Sequence, residues 1–404
     1  MSAGTSRSGP LLDLVCLSHL RWSFVFQRPQ HLMTRCGRNR RVFFVEEPDF
    51  QAGIEPHLHV EANGGVHVVV PRLPNGMRRH DVSEVQRRLL DGLLKTCRIR
   101  DFVAWYYTPM SLAFTDHWSP RAVVYDCMDE LSAFKDAPAG LEAAEAKLMQ
   151  RASLVLTGGH TLYRAKCHAH HNVHPFPSSV DVTHFAQARR AIVDPPDQAS
   201  IPHPRMGFMG VIDERMDVAL IDGVAAARPD WQIVMVGPVV KIDPTCLPRR
   251  ANVHFLGARN YQQLPSYLAG WDVALLPFAR NEATRYISPT KTPEYLAAGK
   301  PVVSTSITDV IEPYGTSGVV RIADDVPAFV DACAAALADP GEWLPRADAL
   351  LATMSWDDTW DRIDRLLDEA VGVAAPGIRA VAAGTGAVPI GAQPVARACS
   401  TISS

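Results

Sequence analysis

The feature that most constrains this chain of 404 residues is a series of short apolar runs that alternate with longer segments of helical periodicity. Apolar, β-branched runs without polar alternation are typical of strands that helices cover on both faces. The predicted strands are residues 11–17, 41–47, 66–70, 102–107, 121–126 and 153–158, followed by 205–210, 232–237, 252–257, 273–278, 301–305 and 318–322. The pattern predicts an α/β chain with two Rossmann-like, doubly wound domains.

Composition and the positions of prolines divide the chain into further units. Apolar residues make up 47% and charged residues 21%, so each half can bury a core, and collagen, a coiled coil and global disorder are excluded. Four prolines without apolar periodicity predict a linker about which the two sheets can hinge. The predicted units are a flexible N-terminus (1–10), a first domain (11–185), the linker (186–204), a second domain (205–354), a helix capped by Ser355 (355–371) and a disordered tail (372–404).

Several classes of protein are excluded by missing patterns. No apolar run approaches the ~18 residues of a membrane-spanning helix, and no signal peptide is evident, so a cytoplasmic location is expected. The eight cysteines form no CxxC pair and are expected to be reduced thiols. The histidines of the run 167–174 lack metal-ligand spacing, so no metal is expected. No signature of nucleic-acid binding occurs, and no such partner is expected.

The charge is distributed unevenly along the chain. Residues 1–110 contain 15 lysines and arginines against ten acidic residues, whereas the rest of the chain has a net charge of −8. A basic region of this kind is typical of proteins that contact an anionic membrane surface or a phosphate-bearing substrate. A solvated face would give the same asymmetry.

The most informative loop follows the predicted strand 273–278. Ser288, Thr290 and Lys291 lie where a polar loop enters a helix, and free N–H groups at a helix start attract phosphate. Lysine is scarce in this chain, with seven lysines against 33 arginines, which favours a specific role for Lys291. Because proline is tolerated only in a first helical turn, Pro293 predicts that the helix starts between residues 288 and 292.

Glu294 has two interpretations. A carboxylate in the first turn of a helix is favoured by the helix dipole whatever its function. Alternatively, its two oxygens accept hydrogen bonds from the vicinal hydroxyls of a ribose while the helix start holds the diphosphate.

A second candidate lies where the predicted strand 205–210 ends. Gly207 and Gly210 form GxxG rather than GxGxxG, which argues against an NAD enzyme. Gly210 would allow a phosphate to approach the backbone, and Arg215 could bind a diphosphate through two hydrogen bonds. An exposed arginine on a surface helix is the alternative.

In the first domain, two acids follow the strand 121–126. Asp126 and Asp129 are expected at the carboxyl end of the sheet, where a carboxylate can act as a general base or hydrogen-bond a substrate hydroxyl. Helix capping would explain either acid equally well.

The loop after the first strand is unusually aromatic and cationic. His19, Trp22, Gln27 and Arg28 suit an acceptor pocket, because sugar rings stack on aromatic side chains and arginines bind phosphates. Packing in the core would also account for Trp22.

These motifs together resemble the GT-B glycosyltransferases, in particular the family 4 (group 1) bacterial enzymes, over residues 11–371. The resemblance is carried by the loop SHLRWSFVFQRPQHL and by six further segments. They are PSSVDVTHF, MGFMGVIDER, VMVGPVV, NVHFLG, LPSYLAGWDVALLPF and SPTKTPEYLAAGKPVVST. The closing SWDDTW segment is similar to the GT-B helix that returns to the first domain.

The resemblance implies two domains that face a cleft, with the donor nucleotide sugar bound by the second. It implies that Glu294 binds the donor ribose and that five further residues surround the diphosphate: Ser288, Thr290, Lys291, Gly210 and Arg215. Two positions depart from the family pattern. Tyr286 stands where a second glutamate is usual, eight positions before Glu294, and the lysine that usually follows the arginine is missing. Lys291 could supply that charge.

The sequence therefore leads to one hypothesis and two alternatives. The hypothesis is a metal-independent glycosyltransferase that transfers a sugar from a nucleoside diphosphate donor, a UDP-sugar in the first instance, to a glycan or lipid-linked acceptor of the cell envelope. Asp129, or Asp126 as second choice, would activate the acceptor hydroxyl. The alternatives are a nucleotide-sugar epimerase of the same architecture and a non-catalytic subunit that binds nucleotide sugars.

Overall fold

A computed structural model describes residues 12–373 of the chain. Within them lie two sheets and the following elements. The strands are β1 (Asp13–Leu17), β2 (Val42–Val45), β3 (Asp49–Gln51), β4 (His57–Asn63), β5 (Val66–Pro74), β6 (Phe102–Tyr106), β7 (Ala122–Cys127), β8 (Leu154–Thr157), β9 (Val173–Pro175), β10 (Arg205–Met209), β11 (Gln232–Val236), β12 (Val253–Gly257), β13 (Val273–Leu276), β14 (Val302–Ser304) and β15 (Val320–Ile322). The helices are α1 (Arg28–Cys36), α2 (Arg79–Thr96), α3 (Leu112–Thr115), α4 (Leu141–Arg151), α5 (His160–Lys166), α6 (Val182–Phe185), α7 (Pro196–Ala199), α8 (Val218–Ala227), α9 (Leu264–Ala269), α10 (Lys291–Ala297), α11 (Thr308–Val310), α12 (Val326–Ala338), α13 (Leu344–Leu351) and α14 (Trp356–Val373).

Both sheets have doubly wound topology. The first has the order β3-β5-β2-β1-β6-β7-β8-β9, with β4 antiparallel to β5 and the other pairs parallel. The second has the order β12-β11-β10-β13-β14-β15, and its pairs are parallel. Each of the twelve predicted runs contains a strand, which confirms the predicted fold class. The order of each sheet reverses beside its first strand, β1 or β10, and such switch points are where open α/β sheets bind ligands.

The sequence pattern predicted β5 but not β4, so it did not predict the hairpin that these two strands form. Residues of β4 are exposed or half-buried, so they lack the apolar run by which the other strands were recognised. Its turn, Asn63-Gly64-Gly65, carries the available signal, because Gly64 adopts a φ of 60°.

Both faces of the first sheet are covered. Leu14 and Cys16 of β1 point into one apolar cluster, whereas Val15 and Leu17 point into the other. Helix α14 contributes Trp356, Trp360, Ile363 and Leu367 to the first of these clusters, at the spacing of one helical face. The C-terminal helix therefore packs on the first domain. The Ser355 hydroxyl accepts hydrogen bonds from the amides of Asp357 and Asp358, as expected of a helix cap.

The domain limits differ from the predicted ones. Phe176 belongs to a core of the first sheet, but Val180 and Phe185 are buried in the core of the second, so the chain crosses between residues 176 and 180 rather than at 185. It crosses back between Met354 and Trp356. The predicted flexible N-terminus and residues 374–404 of the predicted tail lie outside the described residues, and residues 372 and 373 belong to α14.

Residues 186–204 are fastened to the second domain and are not a free linker. The Arg189 guanidinium donates to the carbonyls of Leu296 and Ala297 at 3.0 and 2.7 Å. Gln198 is fully buried and donates to the Tyr267 carbonyl at 3.0 Å. Polar side chains make these attachments, so a search for apolar periodicity does not detect them.

Aromatic rings link the two crossings of the chain. His31 of the first domain stacks on Trp356 at 4.4 Å, and His184 stacks on Tyr261 at 4.2 Å. The rings of His31 and Tyr261 are 5.7 Å apart. We call these four residues the crossing cluster.

Candidate active site

A cleft separates the carboxyl ends of the two sheets and is lined from both sides. The first domain contributes Phe24, Phe26, Gln27, Arg28 and Asp129, among others. The second contributes Gly210, Arg215, Tyr261, Ser288, Thr290, Lys291 and Glu294, among others. The cleft therefore brings together the six predicted donor residues and one of the two predicted catalytic acids.

The domains contact each other at the edge of the cleft. Asp309 accepts hydrogen bonds from the amide and the hydroxyl of Thr161 in the first domain, at 3.0 and 2.5 Å. The Glu214 carboxylate accepts one from the amide of Lys135 at 3.0 Å. The enclosed volume is about 160 Å³, below the roughly 300–1,000 Å³ of ligand pockets. In this arrangement of the two domains, the cleft is therefore narrower than a typical ligand site.

Two glycines allow the backbone and one side chain to approach closely at the switch point. A Cβ on Gly237 would lie 1.9 Å from the carbonyl oxygen of Gly210, and a Cβ on Gly210 would lie 2.0 Å from Cε of Lys291. Gly210 also adopts a φ of 132°, which strains other residues. The Gly210 N–H donates to the Val236 carbonyl, so this amide is already bonded in the structure. The space over the Gly210 Cα is occupied by the Lys291 side chain.

Lys291 lies in the centre of the cleft. Helix α10 begins at this residue, within the predicted interval, and is only seven residues long. The ammonium is 5.6 Å from the centre of the Phe208 ring and 6.0 Å from that of Phe278. Burial and the neighbouring Arg215 lower the pKa of Lys291, while Glu294 opposes this shift. The ammonium is thus a poorly solvated cation that a bound anion would stabilise.

Glu294 faces the same cleft one turn further along α10. Within residues 12–373 its carboxylate forms no hydrogen bond, so its oxygens are available to a ligand. Burial raises the pKa of Glu294, and Lys291 opposes the shift. A partly desolvated carboxylate without a hydrogen-bond donor is costly, and ligand hydroxyls would reduce that cost.

Arg215 is held in place by residues of both domains. Its guanidinium donates to both carboxylate oxygens of Asp213, at 2.7–3.2 Å, and lies 5.6 Å from the centre of the Phe134 ring in the first domain. Burial raises the pKa of Asp129 across the cleft, opposed by the charge of Arg215. The positive charge of Arg215 therefore acts on the candidate base across the cleft.

Asp126 and Arg28 differ from their predicted roles. Asp126 is fully buried, and Nε of Arg28 donates to both of its oxygens at 3.1 Å. Arg28 is itself only 1% exposed and also donates to the Phe176 carbonyl at 2.6 Å. Each charge is compensated by the other, so Asp126 is not available as a base, and Arg28 lines the cleft without a free guanidinium for a phosphate.

Breaking this pair should destabilise the fold. We expect Arg28→Met to lower the free energy of unfolding by about 3–5 kcal/mol, because it leaves the Asp126 carboxylate buried without a partner. The double variant Arg28→Met/Asp126→Leu should recover much of the loss. Urea unfolding measures both, with Arg38→Met as the control, since Arg38 pairs with Asp357 at the surface. An Arg28→Met midpoint equal to that of the control would contradict the assignment.

The other two predicted acceptor residues lie outside the cleft, whereas Gln27 lines it. Trp22 lines a separate groove on the first domain. His19 is half-buried, its Nδ1 has no partner within the described chain, and burial lowers its pKa to about 4. Both residues follow β1, but neither is among the residues that line the cleft, although the charge of Lys241 in the second domain adds to the lowering of the His19 pKa.

Sequence reasoning missed several residues at the cleft. Tyr261 lines it, and its buried hydroxyl has no hydrogen-bond partner in residues 12–373. The Asp309–Thr161 contact was also missed, as was the ion-pair partner of Arg215, Asp213. The pair Gly158-Gly159 after β8 was the available signal for the contact, because a Cβ on Gly159 would lie 2.2 Å from Asp309.

Neither the histidine run nor the cysteines form a site in the described part of the chain. His170 and His171 are neighbours, with ring centres 4.5 Å apart, yet no group of three or more potential ligands in residues 12–373 is arranged to hold a metal. The seven cysteines in that range are free thiols.

Two facing Rossmann-like sheets with a cleft at their carboxyl edges define the GT-B fold, and solved structures share it. Sucrose-phosphate synthase from Thermosynechococcus elongatus superposes with a TM-score of 0.67 at 14% identity, over 90% of this chain and 100% of that chain. HepE from Anabaena, in complex with UDP and glucose, gives 0.62 at 16% identity, over 89% and 100%. An Escherichia coli structure titled trehalose-6-phosphate, bound with UDP-2-fluoro glucose, gives 0.64 at 12% identity, over 89% and 99%.

Sequence comparison supplies the family. Residues 203–339 match the family described as glycosyl transferases group 1. TuaH of Bacillus subtilis (strain 168), whose name assigns it to the glycosyltransferases of teichuronic acid biosynthesis, is 26% identical over 258 residues. That match covers 59% of this chain and 64% of TuaH, less than two thirds of the relative. Residues 203–339 thus match the group 1 glycosyltransferases, and the chain has the GT-B fold, which confirms the predicted class.

Proposed function

We propose that this protein transfers a sugar from a nucleoside diphosphate donor to a hydroxyl of a glycan or lipid-linked acceptor. One observation carries the proposal. A cation, Lys291, and a carboxylate that forms no hydrogen bond within residues 12–373, that of Glu294, lie one helical turn apart and face the same cleft. A nucleotide sugar offers both complements, a diphosphate for the cation and a pair of ribose hydroxyls for the carboxylate.

The donor would lie on the second domain. Lys291 and Arg215 would neutralise the diphosphate, with the hydroxyls of Ser288 and Thr290 as additional donors. The family pattern has a lysine soon after the arginine, and Lys291 replaces that charge from a different element. UDP is the first nucleotide to test, because two of the structural relatives are complexes with UDP or a UDP-sugar.

The reaction exchanges one bond at the anomeric carbon for another. The acceptor oxygen forms a bond to that carbon, while the bond from the carbon to the diphosphate oxygen breaks and its electron pair leaves with the nucleoside diphosphate. Asp129, on the facing domain, takes the proton of the acceptor hydroxyl, and its raised pKa makes it a stronger base. Lys291 and Arg215 stabilise the leaving charge, the role of a divalent ion in other transferases.

Release of nucleoside diphosphate tests the reaction class. We expect release from at least one member of a nucleotide-sugar panel that begins with UDP-glucose and UDP-galactose, and we expect it to survive EDTA. Interconversion of the sugars without release would identify an epimerase. Binding of a nucleotide sugar without turnover would identify a non-catalytic subunit.

The Asp129→Asn variant tests the base. We expect kcat to fall by about 10²- to 10⁴-fold, because the amide cannot take the acceptor proton. The affinity for UDP should stay constant or increase, since a negative charge beside Arg215 is removed. Initial rates and calorimetry separate the two effects, and an unchanged kcat would eliminate Asp129 as the base.

In this proposal the acceptor is a component of the cell envelope. The protein would act in the cytoplasm, at the inner face of the membrane. The name of TuaH, a distant relative, supports an envelope polymer. No helix in residues 12–373 is long and apolar enough to cross a bilayer. The excess of positive charge in residues 1–110 suits peripheral contact with anionic lipid. Failure to sediment with anionic vesicles at low salt would contradict that contact.

A further inference from the structure

The first domain carries a second cavity, outside the interdomain cleft. It lies against one face of the β4–β5 hairpin and has a volume of about 370 Å³, within the range of ligand pockets. Residues 21–23 line it, whereas residues 24–28 of the same loop line the cleft. We call this cavity the hairpin groove.

The hairpin gives the groove an apolar floor and a polar rim. Val68 and Val70 of β5 line the groove, as do their cross-strand partners on β4, Glu61 and His59. Asn63 lies two residues further along β4 and also lines it. Because side chains alternate along a strand, the three polar residues of β4 share one face. A sheet face of this kind offers hydrogen bonds around an apolar surface.

Trp22 supplies an aromatic surface that is held in place before any ligand binds. Its ring packs edge-on against Phe44, with the ring centres 5.0 Å apart. Its backbone amide donates to Glu46 at 2.8 Å, and its carbonyl accepts from Gln30 at 2.8 Å. The side chain remains half-buried and lines the groove. A fixed aromatic ring loses little entropy when an apolar ligand face stacks on it.

The charges around the groove favour a neutral ligand. Arg21 pairs with Glu46 at 3.0 Å, and Arg72 pairs with Asp49 at 2.5 Å. Glu61 has no ion-pair partner among the described residues, so the paired charges cancel and a carboxylate remains. An anionic ligand would meet this carboxylate without a free cation to compensate it.

We propose that the hairpin groove binds a neutral sugar unit of the acceptor, one or more units away from the hydroxyl that reacts in the cleft. The proposal rests on the proposed function, because it takes the acceptor to be a glycan that spans both cavities. The sugar's apolar face would stack on Trp22, and its hydroxyls would bond to His59, Glu61 and Asn63.

Saturation-transfer NMR on the full chain tests the groove directly. The probes are maltose, cellobiose, lactose, chitobiose and their trimers, with galacturonic acid oligomers as the anionic comparison. We expect a signal from at least one neutral probe, and about tenfold weaker binding of it after Trp22→Ala. His59→Ala and Asn63→Ala, on the exposed strand, should also weaken it without affecting the fold. Val60→Thr is the matched control, since Val60 lies on the opposite face of β4.

Three results would overturn the proposal. The first is that no neutral probe binds in a way that Trp22→Ala, His59→Ala or Asn63→Ala weakens. The others are an equal loss of probe binding in Val60→Thr and stronger binding of the uronic acid oligomers than of the neutral probes. Calorimetry with UDP on the same samples keeps the two proposals apart. If the unmodified chain does not bind UDP, that result would count against the donor site alone. Normal UDP binding without a groove signal would count against the groove alone.

Discussion

Replacing Glu294 with alanine is expected to weaken the binding of the donor nucleotide by about 100-fold or more. Each hydrogen bond from a ligand hydroxyl to a carboxylate contributes about 1.5–3 kcal/mol, and Glu294 can accept two from a ribose. No hydrogen bond within residues 12–373 holds this carboxylate, so its removal should leave the free protein's fold intact. Calorimetric titration with UDP measures the change.

Matched variants make the Glu294 result specific. Glu282→Ala removes an exposed carboxylate from the same loop, 73% exposed, and should leave the affinity unchanged. Glu294→Gln keeps the shape but only one acceptor oxygen, so its affinity should fall between those of the other two variants. A Glu294→Ala affinity equal to that of Glu282→Ala would remove Glu294 from the donor site.

Replacing Lys291 with methionine is expected to lower kcat by about 10²- to 10³-fold. The ammonium would stabilise the charge that develops on the leaving diphosphate, and loss of one such group from a preorganised site costs that much. Methionine fills the space beside Phe208 and Phe278, so the fold should tolerate the change. Arg215 is a less suitable target, because its loss would leave the buried Asp213 without its partner.

The pH dependence of the Lys291 effect has a defined sign. Burial lowers the pKa of Lys291, so its positive charge is lost at a lower pH than that of an ordinary lysine. Donor affinity should therefore fall on the alkaline side below the ordinary lysine pKa of about 10.4. Lys291→Arg should move this alkaline limit to higher pH, because arginine stays charged.

Two observations would contradict the role of Lys291. The first is a kcat for Lys291→Met that matches Lys147→Met, which removes an exposed lysine from α4. The second is an alkaline limit that Lys291→Arg does not move. Initial rates at saturating donor give kcat, and calorimetric titration with UDP across the pH range gives the alkaline limit of donor affinity.

Local physical rules were sufficient for the elements that carry the proposed donor site. Apolar runs located twelve strands, and the position of Pro293 located the start of α10. Ser288, Lys291 and Glu294 follow from these elements, because residues after β13 must lie at the carboxyl edge of the second sheet. The sequence could thus predict that these residues line one cleft.

Pairings between distant segments could not be predicted in the same way. Asp126 and Arg28 are 98 positions apart, and each suggested a functional role when considered alone. They come together because the sheet order β1-β6-β7 places the start of α1, where Arg28 lies, close to the end of β7, and both then form a buried ion pair. The hairpin strand β4 was missed for the opposite reason, since it is too exposed to leave an apolar pattern.

The crossing cluster has a mechanical consequence. Because residues 186–204 are fastened to the second domain, the chain can bend between the domains only near residues 176–180 and near Ser355. The rings of the cluster hold these two places side by side. Two adjacent pivots permit the two domains to rotate relative to each other about a single axis. They resist sliding or twisting of one domain against the other. Each closure of the cleft would therefore return Asp129 to the same position opposite Arg215.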